Sequence, residues 1–228
     1  LYYIPAVAAV FQRSGIHFAA LRPIHTTFVA CFIFLGGVAI VHRLFEDVAG
    51  PMGRYERLRV GAQVVLWALA GLGVLVSLMA GVFSGREYTG FHPGLSIPIL
   101  IGWLLFAWNL FAHLGHGLLR QPVHITMWAV GTLLFIYTFT EQHAWLIPGV
   151  FSDPLVDLRV QWKAYGTLIG SFNLFVYASL YYLGTKLSGD ETYAHSRLAY
   201  ALLGVSLLNT FTAYGHHTYH LPQSHAIK

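Results

Sequence analysis

The chain reads as an all-α, polytopic transmembrane helix bundle with six spans. Three observations predict that class. Only 10% of its 228 residues are charged, where an ordinary soluble domain carries about 25%. Apolar residues make up 56%, and the mean hydropathy is +0.60. Those apolar residues gather into six stretches of the length a bilayer crossing needs, roughly 20 residues each.

Taken in order, the first stretch is 25–44, opened by Arg22 and Pro23 and followed by the polar segment 46–59. The second is 60–83, which runs into the turn-rich segment 84–93. The third, 95–116, and the fourth, 123–145, are separated by the short break at Arg120 to Pro122. A polar segment, 147–161, leads to the fifth stretch, 164–185, and another, 186–196, to the sixth, 197–215. Gly215 just before the end and Pro222 just after it are residue types that stop helices. Gly36, Gly37, Gly71, Gly73, Gly81, Gly166 and Gly170 suit close helix contacts in lipid. No repeat or long linker divides the chain, so 1–228 reads as a single transmembrane domain. Its first residue is Leu1, and the sequence is expected to begin part-way through an earlier helix or the loop after it, incomplete at one or both ends.

The net charge of +4 is small and dispersed. Six tryptophans and thirteen tyrosines fit interfacial belts, so the expected surroundings are a lipid bilayer and no nucleic acid. Cys31 is the only cysteine and lies mid-helix, which rules out an intrachain disulfide. Arg43, Arg54, Arg57 and Arg59 place the first loop on the cytoplasmic side. Alternation then puts the starts of the first and fifth spans and the end of the sixth at the outer face. His25, Thr167, His216 and His217 are thus expected at comparable depth.

Histidines at a membrane boundary mark candidate sites. His25 lies about one turn into the first span, and neutral imidazole is a good axial ligand for haem iron. A helix-start histidine bonded to a neighbour is the plainer reading. His216 and His217 are adjacent, and adjacent residues on a regular helix point about 100° apart. Both reach one metal only where the helix ends or distorts, with His220 offering a third imidazole. The same cluster also reads as an interfacial polar patch. His113 and His116 share one helix face and, with His42, His124 and His195, form a second ring near the cytoplasmic side, read as snorkelling interfacial side chains.

Four stretches carry a family resemblance. Leu21-Arg22-Pro23-Ile24-His25-Thr26 looks like the Leu-Arg-Pro-Leu-His-Thr that opens the second helix of the large catalytic subunit of the haem–copper oxidase superfamily. The branch is the one shared by cbb-type cytochrome c oxidases and nitric oxide reductases. Gly85-Arg86-Glu87-Tyr88 is similar to that family's outer loop after its third helix. Gln161-Trp162-Lys163-Ala164-Tyr165-Gly166 resembles, with one inserted residue, the Gln-Trp-Trp-Tyr-Gly opening its sixth. Gly215-His216-His217 resembles the double histidine closing its seventh. Order and spacing fit, so the likeness covers the chain as helices two to seven.

The resemblance implies that His25 is an axial ligand of a low-spin haem b and that Arg22 lies near haem propionates. It also implies His216 and His217 as ligands of a second metal, copper or non-haem iron, near a second haem. The implied setting is a multi-pass subunit of a prokaryotic cytoplasmic membrane. Its partners would be other membrane subunits of a respiratory complex, with a c-type cytochrome or quinol as electron donor. Several positions depart from the family. Thr167 stands where a third metal-ligating histidine belongs, and a hydroxyl replaces imidazole poorly. Thr210 replaces the redox tyrosine of the oxidases, and Ser171 the glutamate of the reductases. Gly90 replaces an acidic calcium ligand, leaving Glu87, so calcium is poorly provided for. The family's remaining haem ligands come from a tenth helix, beyond these residues. Three functions are therefore expected to compete: a haem-bearing electron-transfer subunit with a modified binuclear site, an active oxygen or nitric oxide reductase, and a cofactor-free structural paralogue.

Overall fold

The computed structural model describes residues 4–15, 18–86, 88–114 and 120–212. Among them the chain is helical throughout, without a strand. The helices are α1 (Pro5–Arg13), α2 (Phe18–Ala49), α3 (Arg54–Met79), α4 (Ser96–Leu114), α5 (Val123–Glu141), α6 (Pro154–Ser188) and α7 (Arg197–Thr212).

Among the described residues, four segments are long and apolar enough to cross a membrane: Ala20–Leu44, Arg54–Met79, Pro93–Leu114 and Val123–Leu146. The expected membrane bundle stands, but α6 and α7 fall short of that standard. Tyr165, Asn173, Tyr177, Tyr181 and Tyr182 dilute the apolar content of α6, and α7 is described over 16 residues only. Two starts also move. α2 begins at Phe18, and Pro23, expected just ahead of the first span, lies inside it. That proline removes one backbone bond near a helix start, a loss membrane helices tolerate. α6 begins ten residues before position 164, because Asp153 caps it by accepting the Leu155 N–H at 2.8 Å and Pro154 fills the first turn.

Contacts run α3 on α4, α4 on α5, α5 on α6 and α6 on α7, with α2 laid against α3, α4 and α6. Ion pairs fix the directions. Lys163 near the start of α6 meets Glu141 at the end of α5 at 2.7 Å. Lys186 near the end of α6 meets Asp47 near the end of α2 at 3.0 Å. With His42 near the end of α2 meeting Gln63 near the start of α3, and His113 near the end of α4 meeting Glu56 at the start of α3, chain direction alternates from α2 through α6.

Aromatic rings and glycines fill the centre. Phe34 of α2 stands edge-on to Trp103, Phe135 and Phe175, with ring centroids 5.3, 4.7 and 5.8 Å away. Phe175 is wedged between two backbones. A Cβ on Gly37 would lie 2.7 Å from its ring, and one on Gly131 3.1 Å. Gly102 gives Trp67 the same access, since a Cβ there would sit 2.1 Å from the indole nitrogen. Small residues at helix contacts are how bundles pack when lipid offers no hydrophobic drive. Gly37, Gly73 and Gly170 serve this way as expected, while a Cβ on Gly36 or Gly71 would meet nothing within 4 Å.

Candidate functional site

Three of the four stretches that carry the family likeness come together at one end of the bundle. Pro23 of α2 lies against Gly90 of the α3–α4 loop, where a Cβ would come 3.4 Å from Pro23 Cβ and 3.2 Å from the Arg86 carbonyl. Thr27 donates its hydroxyl hydrogen to the Tyr88 carbonyl at 3.4 Å. The Tyr88 ring stands edge-on to Tyr165 of α6 at 5.7 Å, and Tyr165 in turn meets Trp162 at 5.3 Å. Arg86 forks both guanidinium nitrogens onto the Asp157 carboxylate at 2.9 and 2.8 Å and lies 5.0 Å over Trp145. Such a two-point grip is stronger and more directional than a single ion pair. Tyr88 adopts φ 59, a left-handed conformation that costs a non-glycine residue about 1 kcal/mol. Strained residues of this kind gather at functional sites.

His25 and Arg22 sit one turn apart on α2 and are both exposed in the isolated chain. His25 makes no hydrogen bond to a described residue. His216, His217 and His220 lie outside the described residues, as do Glu87 and His116.

Three of the four positions at which the chain departs from the resembled pattern are built into helix contacts. Thr167 is 0% exposed. Its hydroxyl pairs with Thr138 Oγ1 at 2.8 Å and reaches the Lys163 and Ala164 carbonyls at 3.1 Å each. Thr138 also donates to the Ala164 carbonyl at 2.7 Å. Ser171 donates across the same seam to the Gly131 carbonyl at 2.8 Å. Thr210 of α7 is pressed onto Gly170, where a Cβ would lie 2.1 Å from its methyl. Every one of these hydroxyls has an acceptor, and the seam between α5 and α6 is closed around them.

Near the opposite end, the second histidine ring is dispersed among local partners. His42 bonds Gln63 at 3.3 Å. His113 bonds the Asn109 carbonyl at 2.8 Å and lies 3.3 Å from Glu56. His124 is buried beside the rings of Trp128 and Tyr182. Beyond the spans, hydrogen bonds from the Tyr182 hydroxyl and the Lys186 ammonium hold the Asp47 carboxyl below the usual carboxylate range.

The residues can be tested against the groups that the resemblance implies. For haem, His25 is the imidazole that the resemblance singles out, and it is exposed on α2 with Arg22 one turn away. They fit one side of a haem; the other axial ligand would come from outside the described residues. For the second metal, no group of three His, Cys, Asp or Glu among the described residues could hold an ion. Thr167 does not fit as a ligand, because its hydroxyl is already committed. Gly90 offers calcium no side chain, and its contact with Pro23 leaves little room for one.

No protein-family model, curated protein or solved structure matches the chain.

Sequence spacing missed Asp157 and Trp145, the partners of Arg86, because they lie far along the chain from it and belong to no motif. The acidic first turn of α6 was the one local hint.

Proposed function

We propose that this chain is a membrane subunit of a respiratory electron-transfer complex, akin to the haem–copper oxidase and nitric oxide reductase large subunits, that binds haem b and carries a modified binuclear site. In this reading α6 and α7 also cross a prokaryotic cytoplasmic membrane, making six spans. The observation that carries it is the convergence of Pro23, Thr27, Tyr88, Gly90 and Tyr165 at one end of the bundle. Residues from three separate stretches thus form one neighbourhood around the start of α2, the segment that carries His25.

Haem, when bound, supplies one-electron transfer. His25 would give one axial nitrogen and Arg22 the cation for a propionate, while Arg86, fixed by Asp157 and Trp145, would hold the outer loop over α6. The other iron ligand would come from outside the described residues, and a c-type cytochrome or quinol would be the donor. Gas reduction at copper or non-haem iron is the weaker reading, because the third ligand position is a threonine packed into the α5–α6 seam.

The test is a pyridine haemochrome spectrum of the protein purified from its native membrane with its associated subunits. The expected result is a b-type signal that His25→Ala removes while the complex stays assembled. A colourless preparation, or a haem signal indifferent to His25→Ala, would overturn the proposal. Carbon monoxide binding at a five-coordinate haem would instead restore the reductase reading.

A further inference from the structure

A cavity of about 180 Å³ lies between α2, α3, α4 and α5, walled by Cys31, Phe34, Trp67, Trp103, Phe135 and Phe139. Its outer end is roofed by Tyr88, Thr89 and Phe91 from the α3–α4 loop. Phe28 and Leu35 of α2 also line it and are exposed, so the cavity is open along α2, beside Gly71 of α3. Phe28 and Leu35 both lie inside the Ala20–Leu44 span, so this mouth faces hydrocarbon. Leu35 and Gly71 each lie a few residues past the midpoint of oppositely running spans, so together they bracket the level where the two leaflets meet.

We infer that this cavity takes the terminal carbons of a bilayer acyl chain. Water does not suit it, since a buried water needs two to four polar partners. The walls are almost wholly apolar side chains, and the Thr27 hydroxyl at the edge already donates to the Tyr88 carbonyl. An apolar cavity of about 150 Å³ in a soluble protein stays dry and admits benzene, so the volume here fits a chain end of about six carbons. The drive is not hydrophobic, because the chain arrives from hydrocarbon. It is the dispersion contact that the lining atoms lack while the space is unfilled. Chain ends are the part of a lipid that dwells at mid-bilayer, level with this mouth. This site does not depend on the haem reading and stands or falls separately.

Trp103 supplies the test. It lines the cavity yet is only 2% exposed, whereas Trp108, on the same helix, is 63% exposed. Bromine quenches indole emission on contact, so brominated lipid reaches Trp103 only by entering the cavity. The protein is reconstituted in phosphatidylcholine vesicles brominated near the chain ends, or near the carboxyl ends, and the Trp103 emission is obtained by difference from Trp103→Phe. End-brominated lipid is expected to quench Trp103 in spite of its burial, and carboxyl-end bromination to spare it. Gly71→Leu fills open space at the mouth, since a Cβ there meets nothing within 4 Å. It should abolish quenching at Trp103 and leave Trp108 unchanged. Should Gly71→Leu fail to fold, alkylating Cys31, the sole thiol, with N-ethylmaleimide on the folded protein plugs the same space. Cys31→Ser is its control. Unquenched Trp103 in the wild-type protein, or quenching that survives the plug, overturns the inference.

Discussion

Replacing Thr167 by histidine would restore on paper the third imidazole of the family's metal site, but the packing around that position opposes it. Thr167 is 0% exposed, and its hydroxyl pairs with Thr138 at 2.8 Å inside the α5–α6 seam. An imidazole there must push α5 and α6 apart, and overpacking of this kind costs ~1–3 kcal/mol. Losing the Thr138 partner adds about 1 kcal/mol. The sum, roughly 2–4 kcal/mol, corresponds to a fall in Tm of roughly 4–16 °C for a chain of this size. Thr167→Val separates the two effects, keeping the shape and losing only the hydrogen bond. The assay is thermal unfolding of the protein in detergent, with copper and iron measured on the same samples. Thr167→His is expected to be destabilised and to gain no metal. A variant with wild-type Tm and stoichiometric copper would refute the reasoning, because it would mean that position 167 faces open space.

Gly170→Ala should lower stability by about 1–3 kcal/mol, since its Cβ would lie 2.1 Å from the Thr210 methyl. Adding Thr210→Ala should recover part of that loss in a double-mutant cycle on Tm. Gly102→Ala is expected to displace Trp67 from its 3.1 Å hydrogen bond to the Ile99 carbonyl, read as a red-shifted indole emission. Arg86→Lys keeps the charge but loses the forked grip on Asp157 and the stacking on Trp145, costing about 1 kcal/mol. Asp47 gives a pH prediction. Its folded pKa is depressed, so its contribution is present above the unfolded value and is lost as pH falls through the folded one. Asp47→Asn should therefore flatten the stability profile below about pH 4, and an unchanged profile would deny Asp47 that role.

Hydropathy and punctuation made much of this architecture legible. In hydrocarbon a chain must satisfy its own backbone, so long apolar runs become helices whatever their neighbours. That is why the positions of α3, α4 and α5 follow from residue order to within a few residues. α2 and α6 are longer than their apolar cores because helix starts answer to capping and proline geometry. The candidate site was legible as fragments. Pro23, Arg86, Tyr88 and Tyr165 stand out by motif, but their juxtaposition does not.

Sequence alone thus determined the solvent this protein lives in, its helical class and the location of its unusual imidazoles. Only the tertiary structure decided which way the side chains turn. A helix that is apolar all round has no stripe to say which face is inward, so steric fit decides between faces. That fit turned Thr167 and Ser171 into the α5–α6 seam, set Phe175 between Gly37 and Gly131, and left His25 on the outer surface of α2.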